Sequence, residues 1–132
     1  MDSKLQQIQA TLNAADETDV TRLDESHIRK IRLSFPNVPN DYLDLLKTIG
    51  WGNYGFVVYS GPVHPDEIFG VDGATDIRHF LIIGDNMAGW MFAYDTTQTP
   101  WRMVLLNHNV PVHTGNSPAD FTSFVLAELI RE

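Results

Sequence analysis

The chain of 132 residues contains no cysteine. Disulfide bonds, thiolate metal sites and cysteine nucleophiles are therefore excluded. The chain also lacks any apolar run near the roughly 20 residues that span a bilayer, and its first residues have neither the basic start nor the apolar core of a signal peptide. We therefore expect a single cytoplasmic domain, residues 1–132, that has no contact with membranes.

Basic residues are scarce as well, with 9 lysines and arginines against 17 aspartates and glutamates, a formal net charge of −8. Nucleic-acid binding needs clustered lysine and arginine, so we expect no nucleic-acid partner. Residues 48–101 carry six acidic residues and a single base, Arg78, a net charge of −5, whereas four bases gather in residues 22–32. An acidic middle is expected to attract a basic partner, although solubility alone would explain the same charge.

Motifs for catalysis are also missing. There is no Gly-x-Ser-x-Gly elbow, and the five histidines include no pair at the i, i+4 spacing of a zinc protease. Asp85 and Asp95 flank a predicted hairpin and should lie more than about 10 Å apart, too far for a glycosidase pair. The glycines of residues 50–55 follow a predicted helix, whereas a phosphate-binding loop precedes one. We predict that the protein is not an enzyme and has neither a metal site nor a cofactor.

Apolar residues at helical spacing predict helices toward both ends of the chain. Residues 2–13, 24–35 and 40–49 form the early helices, of which the third should begin with Asn40 as its cap and end at Gly50. In that helix the inward stripe is Tyr42, Leu45, Leu46 and Ile49. The last helix should start with Ser117 as its cap, Pro118 in the first helical position and Asp120 in the capping-box position.

Between these helices the sequence changes to short runs rich in β-branched and aromatic residues, which favour strands. The runs are residues 56–59, 80–83, 90–94 and 101–106, and residues 108–113 should add an edge strand that tolerates Pro111. Residues 63–76 read as a loop with one helical turn near residues 65–68. No helix long enough for a parallel crossover separates the last strands. We therefore predict an α+β domain with a central antiparallel sheet of about five or six strands and helices on one face.

The order of these motifs resembles the SUKH superfamily, the Smi/Knr-type domain. A helix start reads Val38-Pro39-Asn40-Asp41-Tyr42, with valine for the usual leucine, and the glycine-rich turn of residues 50–55 opens the sheet. A strand end reads Ile82-Ile83-Gly84-Asp85, and Gly89-Trp90 leads to Tyr94-Asp95. With the terminal helix, the resemblance covers residues 24–130 and leaves residues 1–20 as an N-terminal extension that should be helical.

The resemblance implies an immunity protein, because bacterial SUKH members chiefly neutralise toxins, often nucleases, by binding them. A regulatory or scaffold module that binds proteins without neutralising an enzyme is the alternative. Either function needs a partner-binding surface, in which a few aromatic and charged residues dominate the energy. The candidate residues are Trp51, Tyr54, Asp66, Glu67, Asp72, Asp76, Asp85 and Asp95. The glycines around Trp51 and Tyr54 are expected to be structural, while the two aromatics form either an exposed anchor or local packing.

Overall fold

The computed structural model describes residues 3–14, 19–73, 75, 77–97, 100–107, 110–112 and 120–129. Within them the chain forms five helices and seven strands. The helices are α1 (Ser3–Ala14), α2 (Glu25–Ser34), α3 (Asn40–Thr48), α4 (Asp66–Gly73) and α5 (Phe121–Leu129). The strands are β1 (Asp19–Thr21), β2 (Trp51–Asn53), β3 (Val57–Val63), β4 (Phe80–Asp85), β5 (Trp90–Asp95), β6 (Arg102–Asn107) and β7 (Val110–Val112).

All seven strands form one sheet in chain order, and every neighbouring pair is antiparallel. The predicted α+β class with an antiparallel sheet is confirmed. β7 pairs with β6 at one edge, as the sequence predicted for the segment around Pro111. The opposite edge is the short strand β1; neither β1 nor the adjacent β2 was among the five predicted strands, and the two bring the sheet to seven.

Four helices bury one face of the sheet, which we call the first face. Alternate side chains of the central strands, among them Leu81, Phe92 and Tyr94, share one hydrophobic core with α1, α2, α3 and α5. The residues of α3 predicted to point inward, Tyr42, Leu45, Leu46 and Ile49, are at most 2% exposed. The helical periodicity of α3 therefore identified the centre of this core correctly.

The other face, which we call the second face, carries a smaller core. Its buried members are Ile77, Phe80, Ile82, Ala93, Val104 and Leu106. Half-buried Phe69 from α4 packs against them, together with Tyr59 and Met91. α4 has no fully buried side chain, and its backbone leaves the helical region at Gly70 (φ 76°, ψ 170°). Where the sequence predicted a loop with one turn, the chain thus forms an irregular helix. The helices were predicted to lie on one face of the sheet, and α4 is the exception because it lies on the other.

The N-terminus of α5 is capped from two directions. The Asp120 carboxylate accepts from the backbone N–H of Ser123 at 2.8 Å, which makes Asp120 the local cap. The Asp41 carboxylate in α3 accepts from the N–H groups of Phe121 at 2.7 Å and Thr122 at 3.1 Å. Negative side chains at a helix N-terminus satisfy free N–H groups and oppose the helix dipole. Asp41 therefore joins α3 to α5 across 80 residues of sequence.

Two of the predicted helix ends differ from expectation. Pro39, not Asn40, precedes α3, no side chain caps that helix, and the Asn40 side chain accepts from Arg32 at 3.0 Å. Asp120 is a cap rather than the capping-box partner, while Ser117 and Pro118 lie outside the described residues.

Candidate partner-binding surface

Among the residues that the structure describes, no group of three or more histidine, cysteine, aspartate or glutamate side chains could hold a metal ion. In the same part of the chain, no helix has the length and apolarity needed to cross a membrane. The candidate site consists of the residues predicted to contact a partner, and the fold gives these residues different degrees of exposure.

The glycines of residues 50–55 allow two backbone segments to come close together. Gly50 and Gly52 have φ angles of 131° and 127°, which residues with a side chain rarely adopt. A Cβ atom at Gly50 would lie 2.4 Å from the carbonyl oxygen of Thr21, and one at Gly52 would lie 2.4 Å from that of Asp19. The expected structural role is confirmed, and its cause is β1, which runs directly against these glycines.

Tyr54 belongs to the core rather than to a binding surface. It is only 3% exposed, its ring centroid lies 5.7 Å from that of Phe56, and its hydroxyl donates to the Gly50 carbonyl oxygen. Burial raises the pKa of the Tyr54 phenol above its ordinary range. The prediction that Tyr54 is an exposed anchor is therefore wrong, because the side chain is buried and its hydroxyl bonds back to the turn.

Trp51, by contrast, keeps a partly exposed ring. It is 38% exposed and pairs with Thr21 of β1. Val20, the neighbour of Thr21, packs against the core of the first face. Because successive side chains of a strand point to opposite faces, Thr21 and Trp51 belong to the second face. Of the two predicted aromatic anchors, only Trp51 is available for a partner.

Asp85 and Asp95 occupy opposite ends of the hairpin formed by β4 and β5. Asp85 pairs with Met91 and Asp95 pairs with Phe80, which places both carboxylates on the second face. The four residue steps from Met91 to Asp95 correspond to about 13 Å along the strand. They do not form a carboxylate pair.

Both carboxylates already serve local structure. Asp85 accepts from the N–H of Met87 at 2.8 Å and from the hydroxyl of Tyr59. Asp95 is 9% exposed and accepts from the N–H and the hydroxyl of Thr97 at 2.9 and 2.6 Å. The predicted turn chemistry of Asp85 is thus present, and the burial of Asp95 leaves it little surface for a partner.

Sequence reasoning missed Tyr59. Burial raises the pKa of its phenol, and the hydrogen bond to Asp85 raises it further. The side chain is half-buried on the second face. The available signal was the strand alternation, since the adjacent Val58 is fully buried on the first face.

Three predicted acids come together on α4. Glu67 and Asp72 are exposed, and the side chain of Asp66 is 41% exposed. The Glu67 carboxylate also accepts from the backbone N–H of His64 at 3.2 Å, which supports the helix start. The remaining candidate, Asp76, lies outside the described residues. α4 therefore holds the predicted carboxylates that are most open to solvent.

Two apolar side chains among these acids are exposed to solvent, which the sequence did not predict. Ile68 is 36% exposed and Val71 is 59% exposed. Exposed apolar side chains become informative when they lie together in one segment. The sequence signal is the mixture of acidic and apolar residues from Asp66 to Asp72, in a segment that the sequence predicts to be a loop with one helical turn.

Arg78, the single base of residues 48–101, binds to α4 at two points. Its Nε atom lies 3.6 Å from Asp66 Oδ1, and its Nη2 atom donates to the carbonyl oxygen of Val71 at 3.3 Å. The hydroxyl of Thr75 donates to the carbonyl oxygens of Val71 and Asp72 at 3.3 and 3.0 Å. The guanidinium thus connects the first turn of α4 to its last.

A surface of opposite charge lies on α2. Arg29 and Lys30 are exposed there, and Leu33, one helical turn further on, is 75% exposed. Residues three and four positions apart share a helix face, so the three side chains form one basic and apolar patch. We call it the α2 patch.

Comparison with known proteins gives no assignment: no protein-family model, curated protein or solved structure matches the chain. The resemblance to the SUKH superfamily therefore stays a prediction from the motifs quoted above.

Proposed function

We propose that this protein is a SUKH-type immunity protein that binds a basic toxin domain and blocks it. One observation carries the proposal: among the described carboxylates of the acidic middle, the exposed ones, Glu67 and Asp72, share a short helix with exposed Ile68 and Val71. Interfaces combine apolar contacts with charge complementary to the partner. A nuclease surface that binds phosphate is basic, so an acidic surface of this kind would cover it in place of the substrate.

Inhibition of this kind is stoichiometric occlusion and requires no catalytic group. The net charge of −5 in residues 48–101 would attract a basic toxin over distances up to about the Debye length, near 10 Å at 0.1 M salt. Added salt should therefore slow association, whereas truncation of an apolar anchor should mainly speed dissociation.

The test starts from the gene neighbourhood. The toxin domain encoded beside this gene is co-expressed with the protein, and survival of the host cells is scored. Protection is expected for the unchanged protein, and binding of the two purified proteins should weaken as salt rises. A neighbourhood without a toxin gene, or a neighbouring toxin that is neither bound nor blocked, would contradict the proposal.

The α2 patch favours a second candidate, a regulatory or scaffold module. A protein with two exposed surfaces of opposite charge has the means to hold two partners at once. Arg29→Glu combined with Lys30→Glu distinguishes the two functions. An immunity protein that acts through α4 should protect the cell as before, whereas a scaffold should lose one of its two partners.

A further inference from the structure

We infer that α4 itself is the contact segment and that it receives an arginine next to an apolar side chain of the partner; that the partner is a toxin rests on the function proposed above. Four properties of α4 support this contact: its apolar exposure, its charge, its loose packing and its existing contacts with a guanidinium.

The apolar part consists of Ile68 and Val71, which are 36% and 59% exposed. Both lie in a helix without a fully buried side chain, which Phe69 holds on the second face from a half-buried position. An apolar side chain on the partner that covers Ile68 and Val71 would remove this surface from water, at about 25 cal/mol for each Å² buried.

The polar part of α4 already contacts an arginine of this chain. Arg78 approaches Asp66 with Nε at 3.6 Å and donates from Nη2 to the Val71 carbonyl oxygen at 3.3 Å. Asp66 Oδ1 is buried and faces Arg78, so the acceptors of this segment that a partner can reach are the exposed carboxylates of Glu67 and Asp72. The planar guanidinium has five N–H donors in a fixed fork, whereas the ammonium group of lysine is a compact point charge. The exposed carboxylates of Glu67 and Asp72 extend this acceptor-rich segment outward, which favours arginine over lysine in the partner.

Charge selects the occupant among the available alternatives. A second copy of this chain carries a net charge of −8 and would be repelled at long range, even though its α2 patch is locally complementary to α4. A basic protein is attracted both at long range and at α4. The occupant is therefore a basic protein surface and not a second copy.

The experiment uses a displayed library of random peptides selected on the immobilised full chain. Selected peptides should be enriched in arginine beside an apolar residue. Asp72→Lys should weaken their binding by at least about tenfold, as expected for a residue at the centre of a contact. The matched control is Asp44→Lys, which makes the same charge change on an exposed residue of α3 and should leave binding within about twofold.

The apolar contribution is tested separately with Val71→Ser, for which Leu33→Ser in the α2 patch is the control. Both residues are more than half exposed, so neither change should alter the thermal melt. Selected peptides without arginine, or binding that is insensitive to both Asp72→Lys and Val71→Ser, would overturn the inference. Concentration-dependent self-association that disappears in Asp72→Lys and in Arg29→Glu would also overturn it, because the occupant would then be a second copy.

The same variants separate this inference from the proposed function. Full protection against the toxin by Asp72→Lys and Val71→Ser would show that the protein neutralises its toxin through another surface, which defeats only the inference. Failure of the unchanged protein to bind the toxin, with the peptide results as expected, would defeat only the proposed function.

Discussion

The two faces of the sheet are covered by different kinds of structure. On the first face, α1, α2, α3 and α5 contribute to one core, in which Leu45 and Leu46 are completely buried. On the second face, the irregular helix α4 contributes only half-buried Phe69. Complete burial contributes to stability, whereas partly exposed apolar groups remain available for further burial by a partner. Complete burial is thus concentrated on the first face, whereas α4 on the second face keeps apolar side chains that are half-buried or exposed.

The tyrosines of the two faces differ in how far their hydroxyl groups are hydrogen-bonded. Within the described part of the chain, the hydroxyl groups of Tyr42 and Tyr94 are buried in the first-face core and have no hydrogen-bond partner. Burial raises the pKa of both phenols, which keeps them neutral. On the second face, the hydroxyl of Tyr59 donates to Asp85. Each face thus has one tyrosine whose hydroxyl is hydrogen-bonded, Tyr54 and Tyr59, while the two tyrosines without a described partner both lie in the first-face core.

The largest expected effect compares a core residue from each face. Leu46→Ala should lower the free energy of unfolding by about 2–5 kcal/mol, because it leaves a cavity in the first-face core. Phe69→Ala should cost only about 1–2 kcal/mol, because the ring is half-buried and solvent replaces it. Urea unfolding of both variants measures the difference. Equal losses would contradict the contrast between the two faces.

Removal of the long-range cap should have the next largest effect. Asp41→Ala leaves the N–H groups of Phe121 and Thr122 without their acceptor and should cost about 1–2 kcal/mol. The control is Asp44→Ala, an exposed residue of the same helix, which should cost less than about 0.5 kcal/mol. If the two variants melt at the same temperature, Asp41 does not stabilise α5.

Replacement of tyrosine by phenylalanine should change the stability differently at Tyr59 and at Tyr42. Tyr59→Phe removes a hydrogen bond to a carboxylate and should cost about 1 kcal/mol. Tyr42→Phe removes a buried hydroxyl that has no partner and should be neutral or slightly stabilising. Thermal unfolding of the pair checks the contrast. A clear destabilisation by Tyr42→Phe would mean that its hydroxyl is bonded after all, for example to a buried water.

The smallest expected effect is a pH dependence at the start of α5. Burial raises the pKa of Asp120, but hydrogen bonds from Ser123 and the ion pair with Lys4 outweigh it and hold the pKa below its ordinary value of 3.8. The unfolded chain therefore binds the proton more tightly. The stabilisation is complete above the ordinary value and is lost as the pH falls through the lowered one.

Asp120→Asn should accordingly reduce the loss of stability between about pH 5 and about pH 3, as followed by urea unfolding across that range. Lys4→Gln removes only one of the causes and should give an intermediate slope. Identical pH profiles for Asp120→Asn and the unchanged protein would show that Asp120 makes no contribution.

Much of the fold could be predicted because its signals are local. Helical spacing identified the buried stripe of α3, and β-branched runs bounded by turn residues identified β3 to β6. The short strands β1 and β2 were missed, since three residues give no period, and only the first turn of α4 was predicted, since Gly70 interrupts the helical pattern. Among the candidate site residues, the sequence identified Glu67 and Asp72 as exposed acids but could not distinguish them from Asp95, which is buried.

The sequence by itself determined four of the five helices, the strands β3 to β7, the acidic middle and the glycine positions, because propensity, periodicity and charge act over a few neighbouring residues. Tertiary structure alone decided what Asp41 caps, why Gly50 has no side chain and why Tyr54 is not a surface anchor. Each depends on a segment distant in sequence or on the folding of a turn: α5 for Asp41, β1 for Gly50 and the turn that closes over Tyr54. Burial and long-range hydrogen bonds exist only once those segments meet, so no local pattern records them.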